Sequence, residues 1–175
     1  MSNIEWTQQT WNPVTGCTKI SAGCKNCYAE VMTKRLQAMG QEKYKKGFRT
    51  VATHPSELNR PYTWSKPRLV FVNSMSDLFH ESVPTEFIKQ VFEVMNNCPK
   101  HTFQILTKRS ERLMQLSPQL NWTANIWQGV SVENEKVINR VAHLQSTGAK
   151  VKFLSCEPLL NALPSLDLSG LQWVI

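Results

Sequence analysis

The chain reads as an α/β protein built on a mostly parallel sheet, and three observations carry that reading. Short continuous apolar runs begin near positions 69, 103, 126, 151 and 171. Stretches with helical periodicity separate most of them, and each run exits into polar or charged residues. Continuous apolar runs mark strands buried on both faces, and their alternation with helices means right-handed βα units. Such units form a barrel, whole or partial, or an open sheet.

The elements follow in order. Residues 1–16 hold Trp6, Trp11 and Pro13 and predict a short extended entry, a first strand or its edge. Tyr28, Val31, Met32, Leu36 and Met39 recur at helical spacing until Gly40 stops them. Residues 41–67 keep no period and contain Pro55, Pro61 and Pro67, which predicts a long loop with at most a helical turn. Leu69–Val72 is the first apolar run. Pro84 opens a helix with Phe87, Ile88, Val91, Val94 and Met95 on one face, and Pro99 follows its end. Phe103–Leu106 is a strand, Ser110–Leu116 a short helix, and Ile126–Val130 the next strand. Val137, Ile138, Val141 and Leu144 mark a helix ended by Gly148, before strands at 151–154 and 171–175. Ile175 stops the chain inside an apolar run, where a free carboxylate is costly. The expectation is a natural polypeptide that continues, with this one incomplete at its carboxyl end.

Cys17, Cys24 and Cys27 stand at C-x6-C-x2-C spacing in a loop rich in Gly, Ser, Thr and Lys. Thiolates select zinc, copper(I) or iron–sulfur clusters. Closed zinc sites and ordinary iron–sulfur clusters use four ligands; three leave one corner open for a small molecule. The residues alone leave a second reading, a zinc knuckle completed by His54, His80, His101, His143, Cys98 or Cys156. The third cysteine falls at a helix N-terminus, which favours negative charge. An odd count of five cysteines and a Met1–Glu5 start that is no secretory leader speak against disulfides and for a reducing cytoplasm.

At 175 residues, 41% hydrophobic and 19% charged, the chain suits a single globular domain spanning 1–175. No run approaches the roughly 18 apolar residues of a membrane span, so no membrane partner is expected. The net charge of +7 comes from residues 34–68, where nine basic residues meet only Glu42 and Glu57. A basic, loop-rich insertion at 40–68 with Lys43, Lys45, Lys46, Arg49 and Arg60, interleaved with Tyr44, Phe48, Tyr62 and Trp64, can track a phosphate backbone and stack on bases. It can equally be a solvated excursion. No G-x-S-x-G elbow, H-E-x-x-H, Walker loop or G-x-G-x-x-G occurs.

Ligands of parallel βα folds gather beyond the carboxyl ends of the strands. Those ends carry Asn73, Ser74, Ser76, Asp77 and His80, then Thr107, Lys108 and Arg109, then Ser131, Glu133 and Asn134, then Ser155, Cys156 and Glu157. Singly, several could be helix caps or local turns; as a set they predict the rim of a site. Lys108 and Arg109 before a helix N-terminus oppose its dipole, which predicts that one of them meets an anion.

Trp11-Asn12-Pro13-x-x-Gly16-Cys17, Cys24-x2-Cys27-Tyr28-Ala29 and Phe71–Phe79 resemble an uncharacterised phage and bacterial family related to radical S-adenosylmethionine enzymes. Leu106–Arg109, Gly129–Asn134 and Leu154–Leu160 are similar to further blocks of that family. The resemblance implies a partial TIM-type barrel with a cysteine-rich amino-terminal cluster loop. It implies a [4Fe-4S] cluster on Cys17, Cys24 and Cys27, S-adenosylmethionine at the open iron, and a reducing electron donor. The implied activity is formation of a 5′-deoxyadenosyl radical that abstracts hydrogen from a substrate, with nucleic acid modification or repair as a candidate. On this reading Tyr28, Lys108, Ser131 and Glu133 contact the cofactor, while Asn73, Ser74, Asp77 and Glu157 line the substrate side. The alternative is a zinc-stabilised, basic nucleic-acid-binding protein without catalysis. The pattern departs from the commoner C-x3-C-x2-C spacing: the first arm is longer, and Asn26 stands where an aromatic usually precedes the last cysteine.

Overall fold

In the computed structural model, residues 6–175 are described, and the Met1–Glu5 start lies outside them. Six strands form one sheet in the order β1, β4, β5, β6, β7, β8, every neighbouring pair parallel. They are β1 (Gln9–Trp11), β4 (Leu69–Val72), β5 (Thr102–Thr107), β6 (Ile126–Ser131), β7 (Val151–Ser155) and β8 (Trp173–Val174). The order never reverses, so successive crossovers step in one direction along the sheet. Outside it, β2 (Val14–Thr15) pairs antiparallel with β3 (Ala52–Thr53).

Side chains alternate across the sheet. Val70, Val72, Phe103, Ile105, Ile126, Val130 and Leu154 share a single core with the helices. Into it α2 (Thr85–Asn96) sends Phe87, Ile88, Val91, Val94 and Met95, the stripe its periodicity predicts. Ile88, Val91 and Met95 are fully buried, each stabilising by about 1.5–3 kcal/mol; Ile88→Ala would cost about 2–5 kcal/mol. The shorter helices α3 (Ser110–Leu116) and α4 (Asn139–Gln145) add Leu113, Val141 and Leu144.

Aromatic rings fill the other face. Trp6, just before β1, packs 4.7 Å from Phe71, 6.5 Å from Phe153 and 6.0 Å from Trp173, centroid to centroid. Residues from opposite ends of the strand order therefore meet, and the sheet is rolled about this face. Gly129 lies under the Phe153 ring, where a Cβ would come within 2.4 Å.

Several predicted elements differ. The predicted stripe is exposed at Tyr28 and Val31 of α1 (Tyr28–Ala38) and at Met39 just past its end; the helix buries Ala29 and Thr33, with Met32 and Leu36 half-buried, because it packs with Tyr44 and Phe48 of the insertion, Met75 and Cys17 and not on the sheet. The 41–67 stretch is more ordered than a loop. It has 3-10 turns at Glu42–Tyr44 and Pro55–Thr63 and strand β3, and Tyr44 and Phe48 pack beneath the cysteines with Met75. The final strand shortens to Trp173–Val174.

Candidate functional site

The segment before the cysteines is fastened residue by residue. Trp11 is fully buried, and its indole N–H donates to the Glu57 carbonyl at 2.8 Å. Asn12 Oδ1 accepts from the Ser74 hydroxyl and the Met75 N–H, both at 3.2 Å. Gly16 has φ +82°, and a Cβ there would lie 2.1 Å from the Thr50 carbonyl oxygen; only glycine suits both demands. The next N–H, that of Cys17, donates to the Phe48 carbonyl at 2.8 Å. Insertion and first strand exit together set the position of Cys17.

Three strand exits then hold the loop. Arg109, after β5, donates to both Glu81 oxygens at 2.6 Å and to the Thr18 carbonyl and hydroxyl at 3.0 and 2.9 Å; its Nη2 lies 4.0 Å from Cys17 Sγ. His80 Nδ1 accepts the Ser82 N–H at 3.1 Å, leaving Nε2 to donate to the Thr18 hydroxyl at 2.8 Å. Burial, then the nearby Arg109 charge, holds this imidazole below its ordinary pKa and so neutral. Glu133, after β6, is fully buried; it accepts from Gly23 N–H at 3.1 Å and Arg140 at 2.8 Å. Burial pushes this carboxyl up, but the Ser21 hydroxyl, the Gly23 N–H and the Arg140 charge outweigh it and hold the group below the usual range. Cys27 caps α1.

One cavity of about 370 Å³ collects the result. Cys17, Cys24, Cys27 and Tyr28 line one side; Asn73, Ser74, Asp77, Lys108, Ser131 and Glu157 line the strand-exit side. Asn73 adopts φ 61°, its Oδ1 accepts from Val14 N–H at 3.1 Å, and its buried Nδ2 has no partner. Ser131 Oγ is also buried without a partner. Asp77 is committed to its own chain: Oδ1 accepts from the Phe79 N–H and the Thr107 hydroxyl, Oδ2 from the Lys108 N–H. Burial, reinforced by Asp77, pushes the Cys17 thiol up to about 11. The three thiols share the cavity without converging: among the described residues, no three His, Cys, Asp or Glu side chains stand close enough to hold a metal ion.

Glu133 is absent from that lining and reaches the cysteine loop from behind. Within the basic window, Lys43 and Arg60 pair with Glu57 at 3.0 and 3.4 Å, and Lys45 with Glu42 at 3.6 Å. Lys46 lines a cavity beside Lys43 and Lys45, and Arg49 lines another behind Cys17 with Lys19 and Glu30. None of the candidate fourth ligands lines the thiol cavity, although His80 holds Thr18 beside Cys17 and Cys156 precedes the lining residue Glu157. His54 bonds Thr15 at 2.8 Å, His143 bonds Ser110 at 2.9 Å, and His101 packs against Trp64. Cys98 is buried in the core and Cys156 packs against it. No local sequence pattern assigns Asn12, His80, Glu81 and Arg109 to this clamp. The signal the sequence carries is the Lys108–Arg109 pair before a helix N-terminus; Arg109 is the one that meets an anion, Glu81.

A family model described as "Protein of unknown function (DUF5131)" matches residues 1–175. No curated protein and no solved structure matches the chain.

Proposed function

We propose, for a chain that belongs to the DUF5131 family of proteins of unknown function, a radical S-adenosylmethionine-type activity housed in the thiol cavity of a partial TIM-type barrel. One observation carries the reading: three thiols and two partnerless buried polar atoms, on Asn73 and Ser131, face one cavity over the carboxyl ends of parallel strands. Three thiols line that cavity and none of the candidate fourth ligands does, which is the donor set of a cluster with an open corner, although the thiols do not converge on a single ion. The unreversed strand order and the meeting of Trp6 with Trp173 support the barrel.

Cys17, Cys24 and Cys27 would hold the [4Fe-4S] cluster. The chemistry such a group supplies when bound is one-electron cleavage of S-adenosylmethionine followed by hydrogen abstraction, with a reducing partner furnishing the electron. The protein's own part is orientation. Arg109 and His80 hold Thr18 and so the first cysteine, and Glu133 holds Gly23 and so the second. Tyr28 offers a ring at the rim, while Lys108 and Ser131 offer a cation and a hydroxyl to the cofactor. Asn73, Ser74 and Glu157 face the substrate side, and Asp77 acts as a positioning residue whose oxygens fix the β5 exit.

Anaerobic reconstitution with iron and sulfide is the test. About four irons per chain with brown absorption, lost on replacing any of the three cysteines by serine, is the expected result. One tightly held zinc per chain with no iron uptake would replace this reading by the zinc-stabilised binding protein.

A further inference from the structure

Lys108 lines the thiol cavity and also a second cavity of about 560 Å³ between α3 and α4. Five cations border the second space, Lys108, Arg109, Arg112, Lys136 and Arg140, against the carboxylates Glu81 and Glu111. Arg109 is answered by Glu81 and Arg140 by Glu133. Arg112 donates to the main-chain carbonyls of His80 and Val83, which bring no charge. Among the described residues, Lys108, Arg112 and Lys136 have no carboxylate at ion-pair distance. Uncompensated positive charge in a concave space concentrates anions. In the insertion, Lys43 and Arg60 share Glu57 and Lys45 pairs with Glu42, while Lys46, Arg49, Lys66 and Arg68 have no carboxylate at ion-pair distance among the described residues; what sets the cleft apart is that it adjoins the thiol cavity through Lys108.

We infer that the α3–α4 cleft seats a phosphate of the molecule acted on in the thiol cavity, and that this molecule is a single nucleic-acid strand. The inference rests on the thiol cavity being the reaction site. A backbone phosphate lies against Lys136, and Lys108, common to both spaces and facing the cofactor on its thiol side, marks where the strand enters. The contact is electrostatic and carries no sequence preference of its own.

The test is fluorescence polarisation of labelled DNA and RNA strands of about twelve nucleotides, with nucleoside monophosphates as competitors, using the full chain both metal-free and reconstituted. The double variant Lys108→Gln, Lys136→Gln should weaken strand binding about tenfold and flatten the log–log salt dependence by about two. Lys136→Arg should bind like the parent. The triple variant Lys43→Gln, Lys45→Gln, Arg60→Gln should lose less than about twofold, since its cations are already paired. Thermal unfolding checks that each variant is folded. A monophosphate that competes as well as the strand keeps the phosphate site and overturns the strand as its source. No binding at low salt, an unaffected double variant, or a larger loss in the triple variant overturns the inference. Binding by metal-free protein is read without any cluster, so failed iron uptake strikes the cysteine reading and leaves this result standing.

Discussion

The Glu133 carboxylate accepts the main-chain N–H of Gly23 at 3.1 Å, across 110 positions of sequence. Its other oxygen takes Arg140, which is itself buried, at 2.8 Å. Glu133→Ala would strand that guanidinium and cost about 3–5 kcal/mol, measured by urea unfolding. The Glu133 carboxyl is depressed in the folded state. Its stabilising contribution is therefore full above the ordinary value of 4.5 and is lost as pH falls below that through the depressed value. A Glu133→Gln protein should show a shallower acid limb in a stability–pH profile.

Gly16 and Gly40 separate strain from crowding. Both have positive φ, +82° and +70°, but a Cβ at Gly40 meets nothing within 4 Å while one at Gly16 meets the Thr50 carbonyl. Gly40→Ala should cost about 1–2 kcal/mol. Gly16→Ala should cost about 2–5 kcal/mol and lower iron uptake, because Cys17 moves with it. Equal costs would show that the Thr50 contact is relieved by a backbone shift.

The Cys17 thiol, pushed up to about 11 by burial, is a poor nucleophile in the metal-free protein. At pH 8 about one molecule in a thousand carries the thiolate. Alkylation of Cys17 by iodoacetamide, followed by peptide mass spectrometry, should accelerate about tenfold per pH unit up to its pKa. A rate that levels off by pH 9 would contradict the burial argument.

Gly129 and Phe153 are matched in volume. Gly129→Ala drives a methyl group into the ring and should destabilise by about 1–3 kcal/mol. Adding Phe153→Leu should recover part of that loss, giving a non-additive cycle in calorimetry.

Strand bodies were legible because burial on both faces leaves an apolar run that no other element needs. Leu69–Val72 and Ser110–Leu116 coincide with their predicted bounds, the ends of β5, β6, β7 and β8 differ by at most two residues, and β1 occupies only Gln9–Trp11 of the extended entry predicted over 1–16. The α1 stripe misled for the same physical reason: periodicity reports a face, not what covers it, and here Ala29 packs with Phe48 of the insertion and Met75. Cysteine spacing and polar strand exits announced the cavity lining. The clamp could not be read, since His80 and Arg109 meet Thr18 only after the strands align, and no local pattern encodes such a meeting. Nor could composition tell that Lys43, Lys45 and Arg60 are answered by acids while Lys108 and Lys136 are not.

Thr18 is tied to Arg109 across 91 positions and Asn12 to Met75 across 63. Contacts of that span close large entropic loops, and their far ends exist only once β4 and β5 lie side by side. The thiols thus reach their final surroundings late in folding. A cofactor of the proposed kind would be received by a finished scaffold, the reverse of a zinc finger, in which metal and fold appear together.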